Sequence, residues 1–356
     1  MSATTSVSAA RLVLPARLAA GAALLAPFAL ALAVGGVVLA ATGRDALGTY
    51  RLLLVQSFGG QIAVANTLVA TTPILLAGLA TAIAFRAGVF TIGVEGSLYL
   101  GAFAAAWVGF TFTDLPGMML APLAALMAAV TGALWSAPPA ALRAWLGVDE
   151  VVSTLMLNYV AILLTSYLVN EHFLAPGVAN SMSPLVADQA RLQPLLPRTQ
   201  LTVAFFVALA ATALVALVFR ATPAGYDLRI AGLSPSFAAA TGIGLATVVV
   251  GAMLASGLLG GLAGGLQVLG VNYRFIDRFS PGYGFTGIAV ALLGRNTPLG
   301  VLLAALFFGA LANGGAMIQL FSDIPIDLIN LLQGTVMILA VVQFGRLRRA
   351  AEGVRA

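Results

Sequence analysis

The charged residues of this chain are few, and long apolar runs without any charge separate them. Only 8% of the 356 residues are Asp, Glu, Lys or Arg, whereas an ordinary soluble domain carries about 25%. A helix that spans a bilayer needs about 20 predominantly apolar residues, and charges collect between such helices. The pattern therefore excludes a water-soluble protein of this size. It predicts an all-α, polytopic integral membrane helical bundle.

Ten charge-free runs are candidate membrane segments. They cover residues 18–41, 62–85, 96–113, 117–137, 151–170, 201–219, 244–270, 279–294, 298–321 and 328–345. The eighth run has only 16 residues and begins near Ser280, Pro281 and Gly282, so it is either a short span or a re-entrant segment. The first run has 24 residues, which is longer than the apolar part of a signal peptide, about 7–15 residues. We therefore expect it to be a retained helix.

Arginine supplies all 17 basic side chains, and its distribution predicts the orientation. Cytoplasmic loops carry an excess of basic residues. With ten spans, eleven arginines lie on the side that holds both chain ends and six on the other side. We therefore expect a single transmembrane domain over residues 1–356. Its parts outside the membrane are a cytoplasmic tail at 1–17, an outer loop at 171–200, a cytoplasmic loop at 220–243 and a cytoplasmic tail at 346–356.

Residue types that many enzymes need are missing from this chain. Without lysine it cannot contain a P-loop, whose lysine binds phosphate. With no cysteine it has no thiolate metal site, and a single histidine in a loop argues against a nucleophile–base or metal constellation. The net charge of +5 does not indicate nucleic-acid binding, because in a membrane protein the location of the arginines matters more than their sum. We expect no catalytic residue, no cofactor and no metal site in this chain.

Polar residues inside the apolar runs are the better pointers to function. The candidates are amides and hydroxyls rather than charges: Asn66, Ser153, Thr154, Asn158, Gln267 and Asn313. Each either makes a hydrogen bond between helices or lines a polar path. A path lined by such groups suits a neutral, hydroxyl-rich solute better than an ion.

A row of glycines in the seventh run and one acidic residue before the third run are two further features of the membrane segments. Gly257, Gly261 and Gly265 recur every four residues, which predicts a smooth helix face for close packing. The same face could also slide against a neighbouring helix. Glu95 stands just before the third run, where we expect it to cap that helix or to pair with Arg86.

The cytoplasmic loop at 220–243 has the pattern of two short helices. We expect the first over 226–231, ended by Gly232, and the second to begin with Ser234 as its N-cap and Pro235 at its first position. On this pattern alone, the segment is either a plain connection or a docking surface for a cytoplasmic partner.

Three stretches of the chain resemble the membrane permeases of bacterial ABC importers in the branched-chain amino acid, ribose and nucleoside group. Residues 84–96 are similar to the family pattern FRAGxFNIGxEGQ, with Thr91 in place of the usual Asn and Ser97 in place of the usual Gln. Residues 149–159 resemble its VxSTLMLNxIA stretch, and residues 282–296 resemble GxGFxGIAVALLGxN. These three stretches are most similar to those of the nucleoside or simple-sugar branch.

This resemblance implies a multi-pass subunit of a bacterial inner membrane that forms the path for a nucleoside or simple sugar. It also implies three kinds of partner: a second similar permease, cytoplasmic ATPase subunits that hold ATP and Mg, and an extracytoplasmic solute-binding protein. Part of the cytoplasmic loop would be the helix that couples to the ATPase, namely Gly225, Tyr226, Asp227, Leu228, Arg229, Ala231 and Gly232. The alternatives are a branched-chain amino acid permease and a stand-alone secondary transporter.

Overall fold

The computed structural model describes residues 45–178 and 180–321 continuously, together with residues 33, 34, 36, 37, 40, 331, 334 and 335. This part of the chain holds helices, loops and two isolated β-bridges, but no strand. Its longer helices are α1 (Ala46–Phe58), α2 (Gln61–Arg86), α3 (Val94–Thr111), α4 (Gly117–Leu146), α5 (Glu150–Glu171), α6 (Ala204–Ala221), α7 (Pro223–Leu233), α8 (Pro235–Ala240), α9 (Leu245–Gln267), α10 (Tyr283–Leu293) and α11 (Pro298–Phe321). A 3₁₀-helix covers Asp188–Ala190, and a π-helix, Val268–Asn272, continues α9.

Six of the described helices are long and apolar enough to cross a membrane: α2, α4, α5, α6, α9 with its π-helical end, and α11. The predicted all-α, multi-pass membrane bundle is therefore confirmed at this level. The helix α3 has 18 residues but is not among the six. The helix α10 has only 11 residues, about 16 Å at 1.5 Å per residue, which is shorter than the hydrocarbon core of about 30 Å.

Several boundaries differ from the sequence-based expectation. The helix α4 runs past the predicted end at residue 137, because Pro138 and Pro139 lie inside it instead of ending it. Prolines are tolerated in membrane helices when neighbouring groups satisfy the freed backbone. The helix α1, which contains Arg51, was not predicted. The runs at 18–41 and 328–345 lie almost wholly outside the described residues, and the tails at 1–17 and 346–356 lie entirely outside them.

The chain divides into two compact units by its internal contacts. One unit is Leu54–Gly314, and the other combines Met1–Leu53 with Gly315–Ala356. All of the site residues discussed below belong to Leu54–Gly314. The prediction of a single domain over 1–356 remains a prediction.

Helix α9 packs most closely in the unit Leu54–Gly314, against α4, α3 and α2. Small residues make this approach possible, because helices gain little from apolar contact in lipid and associate through close backbone packing. A Cβ added at Gly257 or Gly261 would lie under 3.0 Å from backbone atoms of α4, including the carbonyl of Gly132 or Ala128. One added at Gly265 would meet the Cβ of Ala128. The glycine face of α9 therefore lies in a helix–helix contact.

Candidate functional site

The connection between α2 and α3 is an unwound stretch, residues 87–93, in which Ala87, Val89 and Thr91 are buried. Its second residue, Gly88, has φ 79°, a left-handed conformation that glycine adopts at no steric cost. The rings of Phe85 and Phe90 stack across the turn with centroids 4.7 Å apart. Buried backbone that is not helical must find hydrogen-bond partners elsewhere. The neighbouring helix α5 supplies them.

One face of α5 carries three polar side chains that bind this stretch. Glu150 accepts the N–H of Phe90 at 3.1 Å, and Thr154 accepts that of Ile92 at 3.2 Å. Asn158 accepts the N–H of Gly96 and donates to the carbonyl of Ile92, both at 2.9 Å. Positions four apart share a helix face, so α5 forms a ladder along the unwound stretch. Glu150 also pairs with Arg143 of α4 at 3.1 Å.

Glu95 is 3% exposed and lies in the first turn of α3. Its Oε2 accepts the backbone N–H of Gly284 at 2.5 Å, so the carboxylate binds the first turn of α10. Its hydrogen bond is thus to another helix, whereas the expectation was a cap on α3 itself. The other expectation, a pair with Arg86, is not among the two ion pairs of the described chain. The Arg86 guanidinium lies over the Phe219 ring instead, 4.2 Å from its centroid.

The helices α7 and α8 form the predicted pair of short helices in the segment 220–243. Thr222 caps α7 by accepting the N–H of Gly225 at 3.2 Å, and Pro223 occupies the first helical turn. Ser234 caps α8, with Pro235 at its start, as the sequence indicated. The expected break at Gly232 was wrong, because α7 continues through it to Leu233.

The end of α7 touches the start of the unwound stretch through backbone. A Cβ added at Gly232 would lie under 3.0 Å from the carbonyl oxygen of Arg86 and 3.0 Å from the amide nitrogen of Gly88. The glycine therefore serves a close approach rather than a helix end. One continuous set of contacts now joins α7 to Gly88, then along residues 87–93 to Glu95, and from Glu95 to α10.

Three large apolar side chains of α7 and α8 are exposed. Tyr226 is 58% exposed, Leu233 72% and Phe237 54%. Large exposed apolar side chains of this kind are typical of protein interaction sites. Of the other residues predicted for coupling, Gly225 and Ala231 are buried, Asp227 and Leu228 are partly buried, and Arg229 is exposed.

The residues predicted to line a path do not converge on one place. Thr154 and Asn158 hold the unwound stretch, and Ser153 donates to the Glu150 carbonyl at 3.3 Å. Asn313 of α11 donates to the carbonyls of Gln56 and Ala63 and to the Thr67 hydroxyl, at 3.0–3.3 Å. Gln267 lies beside Thr72 and Thr202 around a narrow cavity. Asn66 is half-buried on α2.

Three buried polar residues at the site were not among the site residues predicted from sequence. Ser97 of α3 donates to the Gly132 carbonyl and shares a hydrogen bond with Ser136, both at 3.1 Å. Glu150 was missed although it precedes Thr154 and Asn158 by four and eight residues. That spacing was a readable signal. Ser97 and Ser136 carried none, because their contact joins two helices.

The comparisons with known proteins agree on one family. The family described as the permease component of the branched-chain amino acid transport system matches residues 63–341 of this chain. The glucose ABC transporter permease of Haloferax volcanii is 36% identical, covering 93% of this chain and 89% of its own length. The guanosine ABC transporter permease of Bacillus subtilis is 35% identical, covering 85% and 88%. The nucleoside ABC transporter permease NupB of Lactococcus lactis is 28% identical, covering 87% and 88%. No solved structure matches the chain.

Proposed function

Because this chain belongs to the family of branched-chain amino acid transport system permease components, we propose that it forms the membrane path of an ATP-driven importer for a nucleoside or a simple sugar. The relatives that support this solute class are named for glucose, guanosine and nucleosides. A branched-chain amino acid remains the second candidate, since the family description names it. Apart from Glu95 and Glu150, which accept backbone N–H groups, the buried polar side chains of the described helices are amides and hydroxyls, which fits a neutral solute.

The partners follow from the same assignment. A second, similar permease completes the path, two cytoplasmic ATPase subunits bind ATP and Mg, and an extracytoplasmic binding protein delivers the solute. This chain has no lysine for a P-loop, so ATP chemistry belongs to the ATPase subunits. Its own residues bind neither nucleotide nor metal in this account.

We place both chain ends and α7–α8 on the cytoplasmic side of a bacterial inner membrane. The arginine excess on that side supports this orientation. Ten segments remain our proposal for the whole chain, with α10 as the short one. The contacts of Gly232 with Gly88 agree with it, because both lie on the cytoplasmic side in this topology.

The observation that carries the coupling proposal is the exposed apolar tip of α7–α8, Tyr226, Leu233 and Phe237, backed by the Gly232–Gly88 contact. The tip docks in a groove of the ATPase. When ATP closes the ATPase dimer, α7 moves, and Gly232 presses on the backbone of Arg86 and Gly88. Close packing transmits such a displacement with little loss, since interiors are nearly incompressible.

The displacement then reaches the centre of the unit Leu54–Gly314. Residues 87–93 are bonded to one face of α5, so they move with α5 rather than independently. Glu95 follows this stretch in the first turn of α3 and binds α10. In this proposal α10 is the element that opens and closes the path, and α9 accommodates the motion along its glycine face.

The absence of cysteine from the native chain makes a direct test of docking simple. We expect Tyr226→Cys or Phe237→Cys to cross-link to a co-expressed ATPase subunit in membrane vesicles. Leu195→Cys is the matched control, because Leu195 is 47% exposed and lies in the outer loop. If neither tip variant cross-links above the level of the control, the coupling surface is elsewhere.

A further inference from the structure

An apolar cavity of about 510 Å³ lies between α2, α6, α7 and α9. Its walls include Ile83, Val218, Phe219, Leu228, Ala255 and Leu259. Asp227 is the one charged residue among the described residues that line it. Leu214 and Leu258 at its edge are exposed, so the cavity opens at the protein surface.

The helix ends beside this cavity are basic. Arg86 is the last residue of α2, and its guanidinium lies over Phe219, which lines the cavity. Arg229 is close enough to Arg86 for their charges to interact. Arg220 stands in the last turn of α6. Neither ion pair of the described chain, Arg143–Glu150 or Arg191–Asp188, involves these three arginines.

An apolar cavity that opens between the helices of a membrane bundle suits an acyl chain. The adjacent arginines are complementary to an anion, and a guanidinium binds phosphate through two parallel hydrogen bonds. Basic pockets between membrane helices on the cytoplasmic side bind anionic lipid head groups. A phospholipid is the molecule of the bilayer that offers both an acyl chain and a phosphate.

We propose that the cavity holds an acyl chain of an anionic phospholipid, with the lipid phosphate bound by Arg86 and Arg229. The bound lipid then belongs to the inner leaflet, and this assignment alone rests on the topology proposed above. Ala224, Asp227 and Leu228 of α7 line the cavity, so the bound lipid supports the helix that we assign to coupling. The negative charge of the membrane would then adjust how firmly α7 is held.

Native mass spectrometry of the purified importer tests this site through the phospholipid that stays bound. The complex is reconstituted with equal amounts of phosphatidylglycerol and phosphatidylcholine and then stripped with detergent. We expect the wild type to retain phosphatidylglycerol in preference to phosphatidylcholine. With Arg229→Gln, the cavity is intact and one phosphate contact is lost, so phosphatidylglycerol retention falls about fivefold.

A second variant fills the cavity itself. Gly251 lines it, and a Cβ there meets no atom within 4 Å, so Gly251→Leu places its side chain in open space. We expect this variant to lose the retained lipid, whereas Ala210→Leu keeps it, because Ala210 is exposed on α6 outside the lining. Equal retention of the two lipids by the wild type, or unchanged retention in both Arg229→Gln and Gly251→Leu, would overturn the proposal. Lipid retention is measured without transport, so the result is independent of the proposed importer function.

Discussion

Glu95 binds the backbone N–H of Gly284 at 2.5 Å, which joins the first turn of α3 to the first turn of α10. Both residues are buried, so removing the acceptor leaves an N–H without a partner at a cost of about 1–3 kcal/mol. We therefore expect Glu95→Ala to lower the thermal unfolding temperature of the purified chain and to reduce uptake. Glu95→Gln keeps an acceptor oxygen and should lose less, mainly the favourable charge at a helix N-terminus, about 0.3–1 kcal/mol.

Glu171→Ala is the control for this pair of variants, because Glu171 is exposed at the end of α5. It should behave as the wild type in both assays. A Glu95→Ala variant with wild-type stability and uptake would show that α10 does not depend on this bond.

Gly232 tests the contact between α7 and the unwound stretch. A methyl group at this position overlaps the Arg86 carbonyl and forces α7 away from Gly88. We expect the Gly232→Ala chain to assemble with the ATPase subunits, which still hydrolyse ATP. The amount of solute taken up per ATP should fall about fivefold or more, which corresponds to a typical coupling free energy. Gly60→Ala is the matched control, since a Cβ at Gly60 meets no atom within 4 Å. Unchanged uptake per ATP in Gly232→Ala would remove this contact from the coupling path.

The glycine face of α9 offers a comparison within one helix. Gly261→Ala places a Cβ against the carbonyl of Ala128, and overpacking of this kind costs about 1–3 kcal/mol. Gly251→Ala, ten residues earlier, meets no atom. Thermal unfolding in detergent should therefore separate the two variants, with only Gly261→Ala destabilised. Equal unfolding temperatures would mean that α9 is not tightly packed at Gly261.

Asn158 satisfies two backbone groups at once, the N–H of Gly96 and the carbonyl of Ile92. Asn158→Leu leaves both without partners, while Asn158→Asp keeps an acceptor for Gly96 and loses the donor to Ile92. We expect stability to fall in the order wild type, Asn158→Asp, Asn158→Leu. The free energy of unfolding of the Leu variant should be lower by about 1–3 kcal/mol for each partner lost. Asn170→Leu, at the exposed end of the same helix, should change little. If Asn158 mainly contacts solute instead, uptake will fall while the unfolding temperature stays the same.

Much of the membrane architecture is readable from the chain, because hydropathy over about 20 residues reports spans directly. The runs at 62–85, 151–170 and 298–321 match α2, α5 and α11 closely. The caps of the α7–α8 pair were readable as well: Ser234 with Pro235 follows local rules. The α5 ladder was partly readable, since Glu150, Thr154 and Asn158 repeat every four residues.

The long-range contacts were not readable in this way. Glu95 and Gly284 are 189 residues apart, and no local pattern around either residue indicates that the two are in contact. Gly232 looked like a helix breaker because glycine is a poor helix former. Its actual role depends on Arg86 and Gly88, which lie far away in sequence. Pro138 and Pro139 likewise suggested an end that tertiary packing overrides.

Uptake of labelled guanosine and labelled glucose into proteoliposomes tests the central claim most directly. The proteoliposomes hold this chain with its partner permease and ATPase subunits, and the binding protein is added outside. We predict uptake of a nucleoside or a sugar only when ATP is present on the ATPase side, and none when the ATPase or the binding protein is omitted. Uptake by this chain alone, driven by an ion gradient without ATP, would contradict the account and indicate a stand-alone secondary transporter.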